Sequence, residues 1–309
     1  MAAVKKVEWI WVDGKLVKWD DATEHVLAHT LHYGLGAFEG IRSYARADGS
    51  ASIFRLGDHI DRLFESCHIA TLDIPFTRAD LRSACLSVLR ENRLRGAYIR
   101  PLVYLGFGAL GLGTTESPVR TVVAAYEWIG AYTGEESLKS GIRAMVSSFR
   151  RGAVDAMMAK GKLCGQYVGS VLAKREAGKL GLDEAILLDP QGHVAEATGQ
   201  NIFLVKRGVL VTPPLSTSVL AGITRDTVVR LAGDLGIETR STLFARDELW
   251  CADEVFLCGT AAEVTPVREI DGRRIGGGEP GPVTRRLQEA FFDAVRGPKP
   301  RHPDWLTPV

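Results

Sequence analysis

Two short segments of this chain carry residue types that together could hold a phosphorylated heteroaromatic ring. The first is Glu196-Ala-Thr-Gly-Gln-Asn201-Ile-Phe203, in which a carboxylate precedes a strand-like run. A buried carboxylate of this kind can keep a ring nitrogen protonated. The second follows Leu210-Val-Thr212 and a Pro-Pro turn, and reads Leu220-Ala-Gly222-Ile223-Thr224-Arg225. From there the spacing predicts a helix over Thr224 to about Leu235, with Ile223, Val228, Leu231 and Leu235 on one apolar stripe. First-turn amides of a helix have no partner within it, so an anion placed there gains hydrogen bonds and a favourable dipole. Gly222 lets the backbone approach that anion closely, and the Thr224 hydroxyl adds a donor. Two lysines compete for covalent chemistry with an aldehyde, Lys160 and Lys162, both among apolar neighbours such as Met157, Met158, Leu163 and Cys164.

Elements able to position these residues can be read along the chain. Residues 7–19 alternate around Asp13-Gly14, the pattern of a hairpin. Strands are expected near Gly40–Arg46 and Ala51–Arg55, helices near Gly57–Leu72 and Thr77–Asn92, and strands at Ala97–Phe107 and Val119–Trp128. This half reads as an α+β domain over 1–128. A Gly-rich linker, 129–137, leads to a larger domain over 138–309. There strands are expected at Ile142–Phe149 and Glu184–Leu188, around Asn201–Leu210 and at Glu254–Leu257, with helices at Gln166–Ala177 and from Thr224. A cofactor is expected between two such domains. The proline-rich tail 298–309 reads as extended.

Composition narrows the function. The 38 basic and 37 acidic residues leave no bulk field for nucleic acid or an anionic membrane, and no apolar run approaches a bilayer span. The start lacks a signal-peptide core, and five cysteines without a Cys-x-x-Cys pair fit reduced thiols in a cytoplasm. Two motifs are decoys. Gly106-Phe-Gly108-Ala-Leu-Gly111 has dinucleotide-loop spacing, but no helix is expected after it. His25, His29 and His32 have metal-like spacing without a completing shell, so no metal is expected.

These segments, together with His32-Tyr-Gly-Leu-Gly-Ala-Phe38-Glu-Gly-Ile-Arg42, His59-Ile-Asp-Arg62-Leu, Ala97-Tyr98-Ile-Arg100-Pro101 and Gly259-Thr260-Ala-Ala-Glu263, resemble the class IV, fold-type IV aminotransferases and, within them, the branched-chain amino acid aminotransferases. The resemblance implies an α/β (α+β) two-domain fold with a β-barrel-like core flanked by helices in the larger domain. It also implies pyridoxal 5'-phosphate as cofactor, amino acids and 2-oxo acids as substrates, and a homodimer or a higher oligomer built from dimers. The family's Schiff-base lysine lies five residues before a tyrosine that meets the cofactor's phenolic oxygen, which selects Lys162 and Tyr167. Glu196 then faces the pyridine nitrogen. Arg62, Gly222, Ile223, Thr224 and Thr260 hold the phosphate, although by spacing alone Arg62 could equally pair with Asp58 or Glu65 on a helix surface. Tyr98 with Thr260 and Ala261 receives the α-carboxylate, and Arg100, two residues along the same strand, meets a distal carboxylate. Tyr33, Phe38, Trp128, Tyr132 and Ala262 resemble the wall for a branched side chain, and Leu112 is the family's position contacting the neighbouring subunit. A D-amino acid or (R)-amine aminotransferase, an aminodeoxychorismate-lyase-like enzyme, and a non-catalytic protein that binds the cofactor are the rival readings.

Overall fold

The structure is a computed structural model describing residues 4–46, 48–128 and 134–309. Tyr132 and linker residues 129–133 lie outside the described residues. The chain divides into two compact units, one of residues 2–129, 161–166 and 294–309, the other of residues 130–160 and 167–293.

In the first unit, strands Trp9–Val12 and Lys15–Lys18 form the expected hairpin, with Val12 opposite Lys15. Asp13 and Gly14 take φ of 45° and 91°, the left-handed pair that a two-residue turn of this twist requires. An antiparallel sheet of eight strands runs in the order Leu306–Pro308, Ala51–Phe54, Ile41–Ala45, Ala97–Leu105, Val119–Glu127, Trp9–Val12, Lys15–Lys18, and Gly36–Phe38 also pairs with Ala97–Leu105. The end of the proline-rich tail, Leu306–Pro308, is an edge strand, a place where proline's missing donor costs no ladder bond, whereas Pro303–Trp305 before it coils into a 3-10 turn and is not extended. Helices Leu56–Ile69 and Arg78–Glu91 bury Ile60, Leu63, Leu81, Val88 and Leu89 in one cluster with Ile41, Ile53, Ile99, Val103 and Val123 of the sheet. Thr77 caps the second helix in a reciprocal box with Asp80. The first helix stops short of the expected Leu72, because Thr71 turns to φ 54° and the Leu72 amide donates to the Cys67 carbonyl.

In the second unit, a mixed sheet of nine strands begins Val194–Ala197, Glu184–Leu188, Ile142–Arg150, Glu263–Ile270, Glu254–Gly259, Asn201–Lys206, and continues to Val209–Thr212 and Thr239–Ser241, while Arg273–Arg274 pairs with Glu263–Ile270 off this path. Val194–Ala197 and Asn201–Lys206 stand first and sixth in this order, yet residues 198–200 alone join them, with the Ala197 amide on the Gln200 carbonyl at 2.8 Å. The six strands therefore curl back on themselves, which makes the core barrel-like. Buried Glu184 anchors the joining turn through Thr198 (2.6 Å) and Gln200 (3.0 Å). Helices Tyr167–Lys179 and Ile223–Asp234 flank the sheet strands in sequence. Helix Pro282–Arg296 is not among the expected elements. Its first amides are held from a distant strand, where Glu254 accepts from Val283 (3.0 Å) and Thr284 (2.7 Å). Among the described residues no helix is long and apolar enough to cross a membrane.

Candidate active site

In the second unit the two sequence segments meet. Glu196 lies on strand Val194–Ala197 and is buried. Its Oε2 accepts from the Asn201 side chain and the Leu220 amide, each at 3.1 Å, and Arg151 Nη2 lies 2.8 Å from its Oε1. Asn201 also donates to the Leu220 carbonyl at 3.1 Å. The strand carrying the carboxylate is thereby stapled to the chain that opens helix Ile223–Asp234. Gly222 caps that helix in an extended conformation, and a Cβ there would stand 1.9 Å from Asn201 Oδ1. Ile223 and Thr224 are buried at the first turn. Thr260, Ala261 and Ala262 form the turn between strands Glu254–Gly259 and Glu263–Ile270, and the Thr265 hydroxyl fixes it by donating to the Ala262 carbonyl at 2.6 Å.

This arrangement fits a phosphopyridine on two counts of its own: a buried carboxylate held in a fixed pose, and a helix start kept bare of side chain at its cap. Gly222→Ala should destabilise the protein by about 1–3 kcal/mol, the usual cost of overpacking. It should also lower cofactor occupancy, because Asn201 must move and Glu196 with it. Thermal melts of apoprotein and of cofactor-saturated protein would measure both, and an unchanged occupancy would sever the link between Gly222 and the ring site.

Lys160 belongs to this unit. Its Nζ donates to the Thr217 (3.0 Å) and Val219 (2.8 Å) carbonyls. Burial pushes its amine below the usual value, with Glu196 opposing the shift. A depressed amine alone would favour Lys160 as the reactive lysine. The two carbonyls argue against it, since they fix this amine as a structural donor.

Lys162 belongs to the first unit. The Phe38 amide donates to its carbonyl at 3.1 Å, its own amide donates to Ser66 Oγ at 2.9 Å, and the Gly165 amide donates to Gly34 at 3.0 Å. This stitching leaves Lys162 Nζ 4.9 Å from the centre of the Phe38 ring. Tyr167, five residues on, begins helix Tyr167–Lys179.

Arg62 does not pair with Asp58 or Glu65. Asp58 is taken by Arg55 at 2.8 Å, and Arg62 grips Glu39 with Nε (2.6 Å) and Nη2 (2.9 Å). Glu39 is wholly buried and also bonds His59 Nδ1 at 2.6 Å. Burial alone would raise the Glu39 carboxyl, but the Arg62 charge and the His59 contact hold it well below the usual carboxylate range. Burial pushes His59 below its own usual value, so the neutral ring donates to the carboxylate.

Tyr98 and Arg100 share a face, as their spacing predicts, and Arg100 Nη2 donates to the Tyr98 hydroxyl at 3.3 Å. The Arg100 guanidinium lies 4.6 Å from the centre of the Phe38 ring and 5.2 Å from that of Tyr98. Tyr98 packs against Trp128 and Tyr126, with centroids at 5.1 and 5.6 Å. Gly40 makes room for the tyrosine, since a Cβ there would stand 1.9 Å from its oxygen. Arg100 Nε and Trp128 Nε1 are buried with no hydrogen-bond partner among the described residues. Tyr33 is 48% exposed and Leu112 86% exposed, so neither belongs to this packed aromatic group.

Glu39, Arg151 and Asn201 have no role assigned from sequence. Glu39 and Asn201 sit inside the motifs above, which is the signal that the sequence offers for them. Arg151 carried none, being one of a pair that reads as solvated surface. The three histidines bond the backbone: the Leu27 amide donates to His25 Nδ1, His32 bonds the nearby Val26 carbonyl, and His29 bonds the distant Gly111 carbonyl, the last two each at 3.0 Å. The glycine-rich stretch 106–111 lies between two strands and opens no helix.

Residues 36–270 match the family described as Amino-transferase class IV. The branched-chain-amino-acid aminotransferase of Pseudomonas aeruginosa is 50% identical over 300 residues, 97% of each protein. The solved branched-chain amino acid aminotransferase of Escherichia coli is similar at 44% identity and a TM-score of 0.94, with 97% of this chain and 99% of that chain covered. The branched-chain amino acid aminotransferase of Thermobaculum terrenum, solved in its PLP-form, gives 35% identity and a TM-score of 0.91 over 98% of each chain.

Proposed function

The chain belongs to the class IV aminotransferases, and on that premise we propose that it transfers an amino group between a branched-chain L-amino acid (leucine, isoleucine or valine) and 2-oxoglutarate, with pyridoxal 5'-phosphate as cofactor. When bound, the cofactor supplies the electron sink that lets a substrate Cα–H bond break. Lys162 would be its covalent anchor, and once displaced by the amino donor its Nζ would take the Cα proton and deliver it to C4′ of the cofactor, across the nitrogen that joins the two carbons. Glu196 faces the ring nitrogen and Tyr167 the phenolic oxygen. The amides at Gly222, Ile223 and Thr224, the Thr260 hydroxyl and the Arg62 guanidinium hold the phosphate, for which a fixed cationic fork is suited. Tyr98 and the Thr260 and Ala261 amides receive the α-carboxylate, while Phe38, Trp128 and Ala262 are assigned to the apolar surface that meets the side chain. The two half-reactions run in alternation, one substrate leaving before the next binds.

The observation that carries the substrate reading is Arg100, a cation set into an aromatic wall with a buried donor left over. An apolar pocket cannot take a dicarboxylate without a paired charge, since an unpaired buried ion costs several kcal/mol. Arg100 supplies that pair for glutamate and 2-oxoglutarate, and the wall around it suits leucine. The protein assembles as a homodimer or a higher oligomer in the cytoplasm on the same reading. The exposed Leu31 (68%), Val26 (74%) and Leu112 (86%) of the first unit support a surface that a second copy would cover.

A steady-state panel tests the proposal. L-Leucine, L-isoleucine and L-valine with 2-oxoglutarate should turn over, and D-alanine and an (R)-amine should not. Preference for either of the last two would overturn it. Arg100→Leu should raise KM for 2-oxoglutarate and leave the leucine half-reaction much less changed. The expected loss in kcat/KM for the dicarboxylate is on the order of 2–5 kcal/mol. Single-turnover kinetics of each half-reaction separate the two, and equal losses would mean that Arg100 holds the shared α-carboxylate or supports the fold.

A further inference from the structure

Helix Leu56–Ile69 presents His59, Arg62 and Ser66 at spacings of three and four, one face of the helix. On that face lie both a candidate phosphate ligand and the clamp on the lysine segment. Ser66 Oγ donates to the Arg62 carbonyl at 2.7 Å and accepts the Lys162 amide at 2.9 Å. Glu39, from another element, packs onto this face: its carboxylate meets Arg62 Nε and Nη2 and the His59 ring and is entirely shielded from water. Its own chain is fixed as well: the Glu39 amide donates to the Pro101 carbonyl at 2.9 Å, and the amide before it is the one bonded to Lys162.

We infer that Glu39 is a positioning residue for the cofactor phosphate, acting through Arg62. A guanidinium on a three-carbon stem has many rotamers, and its entropy is lost whenever it must meet a ligand in one pose. Glu39 pins one edge of the fork before any ligand arrives, so that loss is already taken in the apoprotein. It also offsets the charge that a buried arginine would otherwise carry alone. A neutral His59 orients the carboxylate from its other side without adding charge. The same strand turn sets the Lys162 carbonyl, so phosphate grip and lysine placement share one support.

This inference rests on the assignment of Arg62 to the phosphate. The test compares the affinity of apoprotein for pyridoxal 5'-phosphate with that for pyridoxal, which lacks the phosphate, by equilibrium dialysis in wild type, Glu39→Gln and Arg62→Ala. Wild type should prefer the phosphorylated form strongly, and Arg62→Ala should lose much of that preference. Glu39→Gln keeps size but loses charge and one acceptor edge, and its preference should fall by tenfold or more while pyridoxal affinity changes little. The double variant should lose no more than Arg62→Ala alone. A Glu39→Gln protein whose preference matches or exceeds wild type overturns the inference, as does equal loss for both compounds, which is what a merely structural pair would give. An Arg62→Ala protein that keeps the wild-type preference overturns the assignment of Arg62 itself, and with it any role for Glu39 through that residue. If Glu39→Gln does not fold, Glu39→Asp retains the charge but cannot reach both nitrogens. The same ratio is then measured on Glu39→Asp, where a tenfold fall supports the inference and a wild-type preference overturns it.

Discussion

Lys162→Ala is expected to abolish transamination, by more than about 10⁴-fold, because one amine serves as covalent anchor and as the group that moves the substrate proton. That loss corresponds to at least ~5 kcal/mol of transition-state stabilisation. The visible absorbance of the purified protein should change with it, since the covalent linkage to the cofactor is gone. Lys160→Ala should leave turnover largely intact. Its Nζ donates to the Thr217 and Val219 carbonyls at a site open to water, so its loss should cost only about 0.5–1.5 kcal/mol of stability, the net worth of an ordinary hydrogen bond. The contrast is informative because the electrostatics favour the other lysine: burial depresses Lys160, and a depressed amine is a common mark of Schiff-base chemistry. Placement argues the opposite way, with the Lys162 segment held by two backbone–backbone bonds and by the Lys162 amide on Ser66 Oγ, and its Nζ set over Phe38. Borohydride trapping and peptide mapping decide between them. A label found on Lys160 would sink the assignment.

The parts of the fold legible in sequence are those fixed by local chemistry. Asp13-Gly14 dictated its hairpin because few residues accept two successive left-handed conformations. The two-residue spacing of Tyr98 and Arg100 put both on one face because strands alternate. Helix Ile223–Asp234 began within one residue of its expected start because its apolar stripe and glycine cap agree. Helix Pro282–Arg296 was missed for the converse reason: the residue that caps it, Glu254, is on a strand and recognisable only after folding. The partner of Arg62 shows the same limit. By spacing, Asp58 and Glu65 were the candidates, one turn away. The chain instead brought Glu39 across from the turn after Phe38, where burial makes the pair far less exchangeable with water than a surface pair. Sequence thus indicated which residues carry chemistry better than which residues hold them in place.

Glu196→Gln tests the ring-nitrogen assignment with a change of one atom. The carboxylate takes Arg151 on Oε1, and Asn201 and the Leu220 amide on Oε2. Every one of those partners is a donor. An amide has a donor at one end, so whichever way the introduced side chain turned, its NH2 would face Arg151 or the Asn201–Leu220 pair. Leaving a buried donor unmet costs about 1–3 kcal/mol, which sets the expected stability loss. The variant should still fold and bind cofactor, since the phosphate contacts proposed at Gly222, Ile223, Thr224 and Thr260 do not depend on this charge. The catalytic loss should be larger. Without an anion beside it the ring nitrogen no longer keeps its proton, and the electron sink weakens where negative charge develops. Losing one fixed electrostatic partner of that kind lowers kcat by roughly 10²–10³, or ~2.7–4 kcal/mol. Arg151→Met should do less, because the carboxylate and its two other donors remain. Asn201→Ala should fall between them, since it frees Glu196 on one side and loosens Leu220 on the other. Pre-steady-state rates of the leucine half-reaction at saturating cofactor measure all three. A Glu196→Gln protein near wild-type kcat would show that Glu196 only ties Leu220 and Arg151 together, and that the ring nitrogen takes its charge from elsewhere.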